Sequence, residues 1–273
     1  MKSILVPVDQ SETMPAALET GWRFAKLFGG TVEGVALRPA FAEIVAPDPI
    51  VAVTIPPADW NETEFCRAMR AQFDAFAAAH AGPPGEAGTA RFRWRGGPAI
   101  DDGSLGSLGR VYDATVVTRP GNRGARMTAL EAALFDSGRP LLMAPPTPPK
   151  ALGETVLIHW NASTETARAI EFALPILRQA KRVSFIAVEG HISPGPSIQD
   201  AIAHLDANGI RATEKTVQTR KGPGDAILAE AAAIGADLLI KGAYTQSRLR
   251  QMIFGGATSH ILSAAEIPVF FAH

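Results

Sequence analysis

Ser3-Ile4-Leu5-Val6-Pro7-Val8-Asp9 returns 152 residues later as Thr155-Val156-Leu157-Ile158-His159-Trp160-Asn161. Each copy is a short apolar run that ends in a small polar side chain. Such runs read as strands buried on both faces, because a half-exposed strand would alternate apolar and polar residues. A helical pattern follows each copy, with Leu18, Trp22 and Ala25 after the first and Ile170, Ala173 and Leu177 after the second. Spacings of three and four put these residues on the face of a helix that lies on a sheet. Further along, Asp113-Ala114-Thr115-Val116-Val117 matches Asp237-Leu238-Leu239-Ile240. Pro140-Leu141-Leu142-Met143-Ala144 likewise matches Pro268-Val269-Phe270-Phe271-Ala272. Helical stretches are predicted between the runs, over 62–79, 104–111, 199–208 and 225–234. Each half thus alternates β-α-β-α-β-α-β-α-β, the order of a doubly wound sheet with right-handed crossovers.

The expected fold is therefore α/β: two tandem doubly wound (Rossmann-like) domains, each a five-stranded, mainly parallel sheet with flanking helices. The join, Ala144-Pro145-Pro146-Thr147-Pro148-Pro149-Lys150, is a stiff linker. It sets a first domain at 1–144, a linker at 145–150 and a second domain at 151–273. The chain's 273 residues suit two domains of about 130 each. Its 47% hydrophobic content supplies two cores and excludes a disordered chain. The 26 basic residues against 27 acidic ones argue against binding nucleic acid, or a membrane surface, through bulk charge. The lone Cys66 excludes an intramolecular disulfide and a cysteine-rich zinc site. No apolar run approaches the length of a membrane span, and Pro7 and Asp9 interrupt the N-terminus before a signal core forms. The expectation is a soluble, cytoplasmic protein.

The halves differ in two places. Asp9 to Asp113 covers 104 residues, whereas Asn161 to Asp237 covers 76. The surplus lies mostly in an insertion at 38–60, apolar yet proline-broken. It reads as a loop packed on its own domain, or else as a cleft cover, an apolar ligand pocket or a subunit contact. Conversely, the connection from Gly242 to Pro268 is four residues longer than its counterpart from Thr118 to Pro140. Gly242 ends a buried strand, where doubly wound sheets place ligands. Gly255-Gly256 lets backbone N–H groups approach a phosphate, and Thr258 and Ser259 open a helix whose first amides favour an anion. Arg248 and Arg250 would add positive charge. The plain alternative is a turn into a helix beside solvated arginines.

Gly242-x2-Thr245-x9-Gly255-Gly256, the strand ending in Asp9 and the tandem architecture resemble the universal stress protein family over essentially the whole chain. Members that bind ATP carry G-x2-G-x9-G-[S/T] here. Gly242 and Gly255 match that pattern, as does Thr258 two positions beyond it. Thr245 stands in place of the second glycine, Gly256 in place of Ser or Thr, and Asn161 in place of the first-strand Asp. The resemblance implies an adenine nucleotide, ATP or another, with or without Mg²⁺. It would be held in the second domain by His159, Trp160, Asn161, Val188, Lys241, Gly242, Thr245, Gly255, Gly256, Ala257 and Thr258. His159 and Trp160 would flank the adenine, with Val188 at the end of the second strand. It also implies a stress-response or signalling module with a protein partner that the sequence does not name. Single-domain members pair through their last strands. A tandem chain can make that pairing internally, and a homodimer is a further possibility.

The first half lacks the glycine pair, and Arg119, Arg123 and Arg126 of its shorter loop read as solvated charges. The glycines of 103–109 suit a closely packed small-residue helix better than a phosphate loop. No G-x4-G-K-[S/T], H-E-x-x-H or G-x-S-x-G occurs. The six histidines are not paired at ligand spacing, Trp60 and Trp94 read as packing residues, and Cys66 as a buried thiol. No catalytic constellation is visible. Two rival readings remain: a slow ATPase or phosphotransferase, and a nucleotide-independent module that binds an apolar ligand or a protein through the insertion.

Overall fold

The computed structural model describes residues 1–47, 50–82, 88–120, 127–243 and 256–273. In the first half the order is β1 (Ser3–Val8), α1 (Met14–Phe28), β2 (Thr31–Ala36), β3 (Ala42–Pro47), β4 (Ile50–Ile55), α2 (Glu62–His80) and β5 (Arg91–Trp94). It continues with α3 (Asp102–Gly109), β6 (Ala114–Thr118), α4 (Met127–Phe135) and β7 (Leu141–Ala144). In the second half come β8 (Thr155–His159), α5 (Thr164–Leu177), β9 (Arg182–Val188), α6 (Ile198–Ala207) and β10 (Thr213–Val217). Then follow α7 (Pro223–Ile234), β11 (Leu238–Gly242), α8 (Ala257–Ala264) and β12 (Val269–Ala272).

Ten strands form one sheet in the order β10-β9-β8-β11-β12-β7-β6-β1-β2-β5. Every neighbouring pair is parallel except β12–β7, which run antiparallel at the centre, Phe270 opposite Leu142. Each half thus steps outward from its first strand, then returns to that strand's other side. Helices cover both faces. Leu18 and Phe24 of α1, Phe73 of α2, Ala169 and Ile170 of α5 and Leu205 of α6 share one core. Leu105 of α3, Leu130 of α4, Ile227 of α7 and Ile261 of α8 share the other. Both cores run across the junction, where the rings of Phe24 and Phe270 lie 6.3 Å apart. Burial on both faces explains the unalternating strand sequences.

The sequence repeat has a physical basis in the aspartates that precede β6 and β11, Asp113 and Asp237. Asp113 accepts hydrogen bonds from the backbone N–H groups of Lys2 and Ser3, the latter at 2.9 Å. Asp237 accepts them from Gly153 at 2.8 Å and from Glu154 and Thr155. Each carboxylate fastens the start of the first strand of its half, β1 or β8, to the start of the strand paired beside it, β6 or β11. Burial pushes the Asp113 carboxyl up, but these hydrogen bonds outweigh it and leave it below its ordinary value. At Asp237, burial wins and the carboxyl rises.

Two expectations change. The insertion contains an antiparallel hairpin, with Ala42 opposite Ile55 and Pro47 opposite Ile50. Its prolines bound the strands rather than break them: Pro47 ends β3, and Pro56 and Pro57 follow β4. Ile44-Val45, Ile50-Val51 and Val53-Thr54-Ile55 supply β-branched residues between them. Arg119 is not a solvated charge. Its guanidinium donates to the Ala265 carbonyl at 2.9 Å and pairs with Glu266 at 3.0 Å, binding one half to the other. Arg123 and Arg126 lie outside the described residues.

The glycines of α3 do what close packing needs. A Cβ at Gly106 would lie 2.6 Å from the Ala132 carbonyl oxygen of α4, so the two helices approach only because none is there. Trp60 packs against Phe41 and Phe65, and Trp94 against Phe73. Cys66 is half-buried on α2, and burial raises its thiol above the ordinary value.

Candidate functional site

Parallel pairing aligns the carboxyl ends of β9, β8 and β11 along one edge of the sheet. From β8 the chain winds outward to β9 and β10, then returns to β11 on the other side of β8. The gap between β8 and β11 is therefore the point where strand order reverses, and crossover loops leaving in opposite directions open a crevice there.

On the β8 side, the turn from Trp160 to Ser163 is held by the Asn161 side chain. Its Oδ1 accepts from the Ser163 N–H at 3.3 Å and from the Thr166 hydroxyl at 2.6 Å. In the first half, Asp9 Oδ1 accepts from the Ser11 N–H at 2.6 Å, so Asn161 preserves the loop-closing bond. Ser163 caps α5, its hydroxyl accepting from the Thr166 N–H at 3.2 Å. Ala162 adopts φ 60°, a conformation uncommon for a non-glycine residue. The turn is fixed from outside by the Ser193 N–H on the Asn161 carbonyl at 2.9 Å. The Trp160 indole N–H donates to the Pro196 carbonyl at 3.2 Å.

On the β11 side, Gly242 has a demonstrable reason to be glycine. A Cβ there would lie 2.5 Å from the Thr166 nitrogen and 2.7 Å from the Glu165 carbonyl carbon. The strand end rests on the first turn of α5, with room for backbone only.

Ile158 pairs in register with Ile240, so the residues that follow, His159 and Lys241, are neighbours on adjacent strands. Both take the face that holds Leu157, Val188, Leu239 and Phe271. Lys241 is 3% exposed; its Nζ donates to the Gly242 carbonyl at 2.6 Å and to the Thr258 hydroxyl at 2.8 Å. Burial pushes the ammonium down to about 7. His159 is 4% exposed, and neither ring nitrogen has a hydrogen-bond partner among the described residues. Burial first, then the positive charges of Lys241 and His191, bring it down to about 3, so the ring is neutral at pH 7. A neutral imidazole still has one donor and one acceptor. Leaving each unmatched inside a protein costs on the order of 1–3 kcal/mol.

The third wall is α8. Gly256 is its N-cap and offers no side-chain cap, and its first turn contains no acidic residue. The amides at this end carry the positive end of the helix dipole. The helix begins at Ala257, so Thr258 lies inside the first turn rather than ahead of it. Lys241, Thr258 and the amino end of α8 form a cationic, donor-rich cluster, with the lone pair of His159 beside it. Among the described residues it has no carboxylate partner.

Of the residues singled out from sequence, Asn161, Lys241, Gly242, Gly256, Ala257 and Thr258 gather around this crevice. Trp160 joins the core on the opposite face, against Phe185, so it does not share a face with His159. Val188 is fully buried on the His159 side. Thr245, Gly255, Arg248 and Arg250 lie outside the described residues. The neighbouring burial of His159 and Lys241 was not read from sequence. Its signal was present: two aligned apolar runs, Leu157-Ile158 and Leu239-Ile240, each followed by a basic residue.

In the first half, a groove of about 610 Å³ at the base of the insertion is lined by Arg38, Phe41, Asp101, Asp102 and Thr128, among others. Arg38 pairs with Asp101 at 3.3 Å and stacks its guanidinium over the Phe41 ring at 4.9 Å. Among the described residues no group of three or more His, Cys, Asp or Glu could hold a metal, and no helix is long and apolar enough to cross a membrane.

Residues 194–273, from just before α6 to the end of β12, match the universal stress protein family. No curated protein matches the chain. A universal stress protein from Archaeoglobus fulgidus DSM 4304 shares the fold, with a TM-score of 0.71 at 17% identity over 99% of this chain and 95% of that one. A protein of unknown function from Pseudomonas aeruginosa PAO1 superposes with a TM-score of 0.55 at 13% identity over 100% of this chain and 92% of that one.

Proposed function

We propose that the chain as a whole is a tandem universal stress protein, with domains at 1–144 and 151–273 about the proline-rich linker. The second domain binds an adenine nucleotide and acts as a nucleotide-responsive stress-signalling module. The observation that carries this reading is the basic cluster of Lys241, Thr258 and the amino end of α8, set at the reversal of strand order and without a carboxylate partner among the described residues. Phosphates sit on the backbone of Gly242 and of Gly256 to Thr258, where helix amides and the lysine supply donors. The nucleoside lies against the carboxyl ends of β8 and β9, beside the turn that Asn161 holds. Thr245 and Gly255 belong to the same glycine-bearing segment and complete its spacing. Mg²⁺, where present, is held by the phosphates.

Photolabelling with 8-azido-ATP followed by peptide mapping tests the location. Label on the peptide that contains residues 155–193, competed by ATP, supports the reading. Label confined to the first half contradicts it. The groove beside Arg38 and Phe41 favours one alternative, a module that binds its ligand at the insertion without nucleotide. In that case, deleting residues 42–55 abolishes ligand binding while ATP has no effect on it.

A further inference from the structure

We infer that His159 and Lys241 form a buried anion subsite, which draws a phosphate oxygen of the ligand into the crevice between β8 and β11. The inference deepens the nucleotide reading by assigning the selection of a phosphate-bearing ligand to these two side chains, and it rests on that reading only for what carries the phosphate.

The two halves of the chain provide the internal control. Ile4 pairs with Ala114 in β1–β6 as Val156 pairs with Leu238 in β8–β11. This correspondence sets Pro7 at the place of His159 and Val117 at the place of Lys241. Both first-half residues are buried and apolar. The fold therefore has no need of ionisable groups here, and the same strand ends close well without them. In the second half, burial of an amine and an imidazole raises a cost that an apolar pair avoids. Among the described residues that cost is not met by a carboxylate: Lys241 has a carbonyl and a hydroxyl as its acceptors there, and His159 has no partner.

Among the described residues, the groups facing the pair bring no negative charge. His191, beyond β9, bears on His159 with positive charge. On β12 the neighbour is the Phe271 ring, 5.8 Å from the lysine nitrogen. On α8 it is Thr258, while His260 turns instead to Asp225 of α7 at 3.7 Å. The uncapped amino end of α8 and the unpartnered His159 ring are the features at this end that an anion supplied from outside would satisfy. A phosphate oxygen would accept from the ammonium and from the imidazole N–H together. It would recharge the lysine by drawing a proton from solvent, since the ammonium form is the one its charge favours.

Three probes separate the inference from the nucleotide reading: ATP, adenosine and inorganic phosphate. They are titrated against the wild type and Lys241→Met, with the His159 ring nitrogens followed by NMR. The expected result is that ATP binds the wild type more tightly than adenosine does. Lys241→Met weakens ATP roughly ten- to hundredfold, the range of a charge-assisted hydrogen bond, and leaves adenosine unchanged. Inorganic phosphate alone shifts the His159 resonances in the wild type and not in the variant. Wild-type ATP affinity falls up to about tenfold per pH unit above 7, as the lysine loses its proton.

If Lys241→Met keeps its preference for ATP over adenosine, the subsite is refuted and the nucleotide reading stands. If neither ATP nor adenosine binds but phosphate still shifts His159, the subsite stands and the nucleotide reading falls. If no probe moves His159 or binds, both fall. His159→Leu repeats the test from the other side chain, with a smaller loss of ATP affinity expected.

Discussion

Replacing Lys241 with methionine should make the ligand-free protein more stable at neutral and acidic pH. The methionine stem fills nearly the same volume in the β11–α8 interface without the ammonium. A lysine brought from 10.5 to about 7 by burial carries a charge destabilisation of about 5 kcal/mol, at about 1.4 kcal/mol per pH unit. The variant also loses the hydrogen bonds to the Gly242 carbonyl and the Thr258 hydroxyl, a loss of about 2 kcal/mol together. The net expectation at pH 6.5 in phosphate-free buffer is a gain of about 3 kcal/mol. The sign follows from proton counting. Between pH 7 and 10.5 the unfolded chain holds the lysine proton and the folded chain does not, so wild-type stability rises with pH across that window. The variant lacks this rise, and its advantage should shrink and then reverse to a deficit of about 2 kcal/mol near pH 10.5. Urea unfolding at pH 6.5 and 9.5, with unchanged m-values, measures the difference. A variant that is less stable than the wild type by the same amount at both pH values would refute the reasoning, since it would show that the buried ammonium already has a compensating partner.

Other consequences follow from the same packing. His159 is held to about 3 in the folded protein, so wild-type stability should fall by up to about 1.4 kcal/mol per pH unit between pH 6.5 and 3, where only the unfolded chain takes up the proton. His159→Leu should flatten that part of the urea-midpoint profile, and an unaltered slope would place the acid sensitivity elsewhere. Gly242→Ala, whose Cβ would meet backbone atoms at 2.5 and 2.7 Å, should destabilise by about 1–3 kcal/mol. Gly106→Ala should do so by a similar amount through the α3–α4 contact. A thermal midpoint unchanged in either variant would show that the helix in question can shift without cost.

The fold was legible because its strongest signals are periodic and repeated. Apolar runs without alternation report strands covered on both faces, and their recurrence after 152 residues reports two windings. Even the aspartates aligned at 113 and 237 prove to be the same fastening, a carboxylate on the amides that begin the first strand. The insertion was misread because prolines were weighed as breakers, whereas Pro47, Pro56 and Pro57 stand where strands end. Arg119 was misread because its partners, Ala265 and Glu266, lie across the chain, and no local pattern announces a contact over that separation. The candidate site was legible as a place, the carboxyl ends of β8 and β11 and the start of α8. What escaped was the burial of His159 and Lys241 side by side. That placement depends on register between strands far apart in sequence, and on burial that residue type argues against. Gly242 was picked out for a phosphate, and the structure adds a reason of its own, the close approach of β11 to α5.

The central claim is that the second half holds an adenine nucleotide. Calorimetric titration of the nucleotide-free protein with ATP in the presence of Mg²⁺ tests it most directly. A saturable site at one per chain, lost on replacing Gly242 in a variant that remains folded, is the result expected. Heats indistinguishable from dilution up to millimolar ATP would contradict it.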